Sequence, residues 1–364
     1  MRERKHFKET KLGERKLNLE ELSAKVGGDA KGALGVLLAY IGDQTGIYRA
    51  LEKLGPVGCE SLAKNLDLNE RYLLEFLSAN VANGYVTCDF EKNLFSLTEE
   101  QAAVFAHEGE LTCMQGFFQS IVSQYATHED AVDVFRTGRG RPWNEHHPCC
   151  FSGTDRFFRP GYEAHLLDVW IPSLKGIQEK LNEGVKVADI GCGHGSSTIM
   201  MAKRFPTSRF FGFDFHAPSI ESARKKLVEE KIKNVEFLVS SAKEIPDKEY
   251  EFACIFDALH DMGDPVGASK RIRDVLSDTG TFMVVEPTAA DTLEDNVSNN
   301  PMSAALYSFS TLVCVPTSRS QEVGLALGAQ AGEKRLSKVL KEAGFSEVRK
   351  TSENAANMVL EARA

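Results

Sequence analysis

Six polar side chains in the second half of the chain have types and spacings suited to chemistry: Asp189, Asp214, Ser241, Asp257, His260 and Glu286. Asp189 lies in the apolar run 187–190 and leads into the glycine turn Gly191-Cys-Gly-His-Gly195. A strand, a glycine turn and a helix start let backbone approach a nucleotide-like ligand with no Cβ in the way. The spacing is G-x-G-x-G, and Ser196 stands where a dinucleotide fingerprint has its third glycine. A carboxylate two residues before the first glycine would repel a pyrophosphate but accept hydrogen bonds from an ammonium. A cationic ligand therefore fits better. Asp214 ends Arg209-Phe-Phe-Gly-Phe-Asp214, where a carboxylate can take both hydroxyls of a ribose.

The elements that must hold these residues follow from the alternation around them. Strands are expected at 187–190, 210–213, 235–239, 252–256 and 281–285, with helices near 196–204, 218–230 and 264–276. Strands alternating with helices imply a parallel sheet covered on both faces. All six side chains fall at or just past C-terminal strand ends, where such sheets keep their ligand crevice. Asp257 there can cap a helix or hold an ammonium. An inserted segment at 299–328 is followed by a helix at 333–343, stopped by Gly344. The segments 346–351 and 357–362 then close the chain as an antiparallel strand pair.

The pairing of Asp189-Ile-Gly-Cys-Gly-His-Gly195 with Phe210-Phe-Gly-Phe-Asp214, and the reversed last strand, resemble the class I S-adenosylmethionine (SAM) methyltransferases. The resemblance implies a seven-stranded Rossmann-like α/β sheet with SAM as cofactor. Asp189, Gly191, Gly193, Gly195 and Asp214 would hold the cofactor, Asp257 would reach its ammonium, and Phe215, Ser241 and Ala242 would border the adenine. Ser241 stands where the family often has an acidic residue. His260-Asp261 is similar to the His-Asp pair after the fourth strand of winged-helix O-methyltransferases, where the His is the general base. Glu286 matches a Glu that orients that base, while Met262 replaces the family's aromatic. The chemistry is consistent, since an imidazole with a pKa of roughly 6.5 can take a proton near neutral pH. A structural histidine bonded to a carbonyl is the other reading of His260.

Ahead of this domain, apolar residues cluster over 30–41 as in a buried helix. The segments 61–66 and 69–77 read as a helix-turn-helix, and short strands at 84–88 and 94–97 flank Asn93. Together they read as a winged helix. Its second helix sets Glu70 and Glu75 against one Arg71, too little basic charge for phosphate contacts. Similar domains in small-molecule O-methyltransferases pair two subunits and wall the substrate site, so the resemblance implies a homodimer. Helices are expected at 111–125 and 162–181. The loop between them, 137–148, contains Trp143, a pocket or packing aromatic, and His146-His147, whose side chains point apart. No metal is expected. Gly138-Arg-Gly-Arg-Pro-Trp143, the insert with Met302, Tyr307 and Phe309, and Ala343-Gly-Phe345 resemble a bacterial and animal subfamily of these enzymes. Trp143, Met302 and Tyr307 would then contact substrate.

The domain plan is a basic tail at 1–29, a winged helix at 30–106, a helical linker and pocket lid at 107–184, and the SAM-binding domain at 185–364. At 364 residues the chain is long enough for more than one core. Net charge −9 argues against a general nucleic-acid or anionic-membrane partner. The run 33–41 is too short to span a bilayer. Eight cysteines without C-x-x-C spacing, and no signal peptide, point to reduced thiols in the cytoplasm. The expected function is methyl transfer to a small-molecule hydroxyl. A thiol acceptor, a SAM-sensing regulator and a silent scaffold stand beside it.

Overall fold

The computed structural model describes residues 13, 16–247 and 249–363; Arg2, Arg4, Lys5, Lys8, Lys11 and Arg15 of the expected tail lie outside them. The chain divides into two compact units. One comprises 23–130 and 146–166, and the other holds 131–145 and 167–364 with the N-terminal residues.

In the first unit, helices Ile47–Leu54, Cys59–Leu66 and Glu70–Asn83 precede the antiparallel pair β1 (Thr87–Asp89) and β2 (Leu94–Ser96). Asn69 starts the third of these helices by accepting the Arg71 and Tyr72 N–H groups on Oδ1, at 3.1 and 3.2 Å. Gly84, at φ 77°, ends it in the left-handed region. Leu51, Leu62, Leu77 and Tyr48 are buried between the helices, and the Tyr48 hydroxyl donates to Asn80 at 2.7 Å. The expected winged helix is present.

The helix over 30–41 departs from expectation. It runs from Leu19 to Gln44, so residues 19–29 of the expected tail are helical. Of its side chains only those around Gly35, Ala39, Gly42 and Asp43 are buried. Leu34 is 67% exposed and Ile41 41%. At Gly42 a Cβ would stand 2.3 Å from the Tyr48 ring, which is why one narrow face packs inward while the leucines face out.

Two helices were not expected, and Gly and Pro residues hid the second of them. His128–Thr137 and Pro148–His165 occupy parts of the chain read as linker and loop. Gly153 looks like punctuation, yet a Cβ there would lie 2.5 Å from the Ser120 hydroxyl. The residue is glycine because helices Gln115–Ala126 and Pro148–His165 cross closely. The single helix expected at 162–181 instead breaks into a π-turn at Leu166–Trp170, a short turn at Ile171–Ser173 and a helix at Ile177–Glu183. Leu174 is extended and Gly176 has φ 73°, so the helix cannot run through.

The second unit is built on a seven-stranded sheet of β3 (Lys186–Ile190), β4 (Arg209–Asp214), β5 (Val235–Val239), β6 (Tyr250–Phe256), β7 (Leu276–Pro287), β8 (Glu347–Glu353) and β9 (Asn357–Arg363), ordered β5-β4-β3-β6-β7-β9-β8. The first five in that order are parallel, and β9 runs antiparallel to both β7 and β8. Strands β3 from Val187, β6 from Phe252 and β7 from Gly280 onward are buried, as strands covered by helices on both faces are. The order reverses between β3 and β6, so the crevice opens where β3 and β6 end, at Ile190 and Phe256.

Candidate active site

At the end of β3 the chain turns through Gly191 and Gly193, at φ 68° and 50°, values a side chain rarely tolerates. A Cβ on Gly193 would meet nothing within 4 Å, so this part of the turn borders open space. Gly195 differs: its Cβ would meet the Phe237 ring at 2.4 Å, so its missing side chain serves packing rather than ligand approach.

Asp189 is buried. Its Oδ2 accepts from the Ser197 and Thr198 hydroxyls at 2.8 and 2.6 Å, while Oδ1 is buried without a hydrogen-bond partner. Burial pushes its pKa up to about 6, against the pull of those two hydroxyls and with repulsion from Asp214 adding to the rise. Asp214, across the turn, accepts from the Gly193 N–H at 2.9 Å and the His216 N–H at 2.8 Å. Burial raises its pKa too, opposed by these backbone donors. Two carboxylates thus face a glycine cradle, each harder to ionise than in water. A ligand carrying positive charge relieves that strain, and the unpartnered Asp189 oxygen is an acceptor for its donor. SAM, with an ammonium and a sulfonium, fits this arrangement.

The other cofactor candidates are mixed. Phe215 follows Asp214 and is 52% exposed. The Ser241 hydroxyl donates to Glu244 at 2.8 Å, and Ala242 packs half-buried on the sheet core. Asp257 sits at φ 48° and accepts from the Asn357 amide at 2.7 Å. It is no helix cap, because the turn Leu259–Asp261 starts at Ala258 with no side-chain cap.

His260 and Glu286 lie together at the ends of β6 and β7. Glu286, fully buried, accepts the Leu259 N–H on Oε1 at 2.8 Å and meets His260 Nδ1 with Oε2. The other ring nitrogen, Nε2, lies 3.2 Å from Asp261 Oδ1. Burial alone would lower the His260 pKa, but the charges of Glu286 and Asp261 outweigh it and raise it well above the usual value. Asp261 moves up, through burial, against the attraction of His260.

Sequence reading missed Cys314. After helix Leu293–Asn299 the insert folds as a second helix, Ser303–Phe309, a π-turn at Ser310–Cys314 and helix Val315–Arg319. Met302 precedes the second helix and Tyr307 lies within it, both half-buried. Contacts that include these fix the insert on the His260 loop: the Ser318 hydroxyl donates to the Met262 carbonyl at 2.8 Å, and the Gln321 amide to the Asp261 carbonyl at 3.1 Å. From the other side Arg141, fully buried, donates its N–H to the Pro316 carbonyl and its guanidinium to the Leu312 carbonyl, each at 2.8 Å. A Cβ on Gly140 would strike the Ser320 nitrogen at 2.4 Å. The Gly-Arg-Gly-Arg-Pro-Trp motif and the insert are therefore one packed assembly. It sets the buried Cys314 thiol beside His260 and Asp261. Trp143 begins a short turn in the same motif, half-buried. His147 caps helix Pro148–His165, accepting the Cys149 N–H on Nδ1 at 3.2 Å.

Comparison with known proteins agrees with the fold. Residues 181–344 match the family described as a methyltransferase domain, and residues 32–107 match the Rv2258c-like winged HTH domain. The structure of the mitomycin 7-O-methyltransferase MmcR is similar at TM-score 0.71 and 18% identity, over 94% of this chain and 98% of that one. Human N-acetylserotonin methyltransferase, solved with SAM, is similar at TM-score 0.70 and 16% identity, over 96% and 99%. Among curated proteins, the demethylmenaquinone methyltransferase of Listeria monocytogenes serotype 4a (strain HCC23) is 26% identical over 110 residues, 29% of this chain and 46% of that protein. The chain thus spans under half the length of that relative.

Proposed function

We propose that this chain, which belongs to the class I SAM-dependent methyltransferases carrying an N-terminal winged helix-turn-helix domain, methylates a small molecule at a hydroxyl, with His260 removing the acceptor's proton. The observation that carries the reading is the placement of two machineries on neighbouring strand ends. Asp189, Gly191, Gly193 and Asp214 form a cradle for a cationic nucleoside at β3 and β4, and His260 with Glu286 stands at β6 and β7. SAM supplies an electrophilic methyl for in-line displacement. Phe215, Ser241, Ala242 and Asp257 ring the nucleoside side of the cradle, and Trp143, Met302 and Tyr307 are the candidates for touching the acceptor. The chain's task is to align the acceptor oxygen behind the methyl and keep water out. Glu286 fixes the ring of His260 through Nδ1, which leaves Nε2 for proton transfer.

Labelled SAM and an acceptor panel test the activity, and His260→Ala tests the base. On a hydroxyl acceptor the variant loses about 10²–10⁴-fold in turnover at neutral pH, the usual worth of general-base catalysis. The loss shrinks as pH rises toward the acceptor's own pKa. A thiol acceptor, with a pKa of about 8.5, loses far less. Unchanged turnover at pH 7 on a confirmed hydroxyl acceptor assigns His260 a structural role.

The winged helix belongs to a protein interface in this reading, and the active species is a homodimer built on the outward face of helix Leu19–Gln44. Against DNA readout, Arg71 is paired with Glu75 of its own helix. No helix among the described residues is long and apolar enough to cross a membrane, and no disulfide joins the eight cysteines. The location in this reading is cytoplasmic, where cysteines without C-x-x-C spacing stay as thiols.

A further inference from the structure

We infer that His260, Asp261 and Cys314 form a binding site for a divalent ion of the zinc class, and that filling it withdraws His260 from proton transfer. One ligand atom from each of the three side chains lies within 4.8 Å of the other two. Tetrahedral zinc at about 2.0–2.3 Å from its ligands holds them roughly 3.3–3.7 Å apart, so small rotations close the site. The set of imidazole, carboxylate and thiol suits zinc rather than magnesium or calcium, which take oxygen.

Three further observations support the site. Asp261 Oδ1 stands 3.2 Å from His260 Nε2, yet this buried oxygen has no hydrogen-bond partner. His260 Nδ1 is held by the buried Glu286, the arrangement in which a carboxylate orients a metal-bound imidazole. Cys314 closes a π-helical turn, an irregularity that often marks a functional position. Three protein ligands leave a fourth position for water or an acceptor oxygen. Binding forms a sulfur–metal bond as the thiol releases its proton to solvent, with no change of oxidation state. The same ion takes Nε2, the nitrogen the base needs. This second part rests on the reading of His260 as base.

Cobalt is the probe. Full-length protein stripped with a chelator and titrated with Co²⁺ should show a thiolate-to-cobalt charge-transfer band saturating at one ion per chain and displaced by Zn²⁺. Cys314→Ala should abolish the band. Glu286→Gln should weaken zinc by about 10–100-fold in competition with a chromophoric chelator. SAM binding by calorimetry on each sample shows that it is folded. Should Cys314→Ala not fold, Asp261→Asn keeps the thiol and must still weaken zinc. The absence of a thiolate band in protein that binds SAM, or its persistence in Cys314→Ala, overturns the site. One equivalent of zinc should cut turnover on a hydroxyl acceptor as deeply as His260→Ala, and turnover that is unchanged or raised overturns the withdrawal. Protein that binds cobalt as described but methylates no hydroxyl upholds the metal site and removes only the base.

Discussion

Glu286 holds His260 twice over, meeting the ring at Nδ1 and accepting the N–H of Leu259, one residue before it, at 2.8 Å. A buried carboxylate in that position sets both where the imidazole points and which nitrogen bears the proton. Glu286→Gln keeps the size but not the charge. Turnover should fall by about 10²–10⁴-fold, as when the base itself is lost, with SAM affinity little changed. Because Glu286 and Asp261 raise the His260 pKa, the acid limb of the wild-type kcat/KM profile should lie above about 6.5. In Glu286→Gln it should move to lower pH. A pH–rate profile with the same limb in both proteins counts against the pairing as a device for proton transfer.

Asp189 makes a less intuitive prediction. Burial raises its pKa from an ordinary 3.8 to about 6. The folded chain therefore binds a proton that the unfolded chain releases, and stability falls as pH climbs from about 4 through 6. Above that window the ligand-free chain carries a cost of about 3 kcal/mol, at roughly 1.4 kcal/mol per pH unit. Asp189→Asn removes it and keeps an oxygen for Ser197 and Thr198. Its melting temperature without SAM should match the wild type near pH 4 and exceed it at pH 7.5, while SAM binding collapses. Equal melting temperatures at pH 7.5 argue against a strained carboxylate.

For Asp214 the effect is on affinity. Asp214→Ala loses the two hydrogen bonds proposed for the ribose hydroxyls, each worth about 1.5–3 kcal/mol when the acceptor is charged. It also frees the Gly193 and His216 N–H groups that shape the turn. Calorimetry should show SAM binding weakened by more than about 100-fold. An unchanged constant places the ribose elsewhere.

Much of this was legible because apolar strands alternating with helices advertise themselves. Strand β5 fell at its expected bounds and β4 within one residue at each end, since apolar runs bounded by polar turns have one way to pair. Glycines misled where packing also required them: Gly153 lies inside a helix crossing, and Gly195, at φ 75° in its turn, is pressed against Phe237. The insert was visible as an interruption, but its docking was not. Nothing local in the sequence says that Arg141 binds the Leu312 carbonyl or that Cys314 reaches His260. Those contacts are long-range, and periodicity reports only what neighbours do.

Helix Leu19–Gln44 carries the last prediction. Its sequence reads as buried, yet Leu34, Leu37 and Ile41 are all exposed in the single chain. Burying a leucine or isoleucine stabilises by about 1.5–3 kcal/mol, so three such side chains on a partner supply a large part of an association energy. Two copies meeting along this face would resolve the difference between pattern and exposure. The Leu34→Glu, Leu37→Glu double variant should then be monomeric by light scattering at micromolar concentration while the wild type is dimeric. The substitutions lie on the outward side, away from Ala39 and Gly42, so the winged-helix core with Leu51, Leu62 and Leu77 should keep its melting temperature. A wild-type monomer under the same conditions removes the homodimer from the proposed function and leaves these side chains without a partner of their own kind.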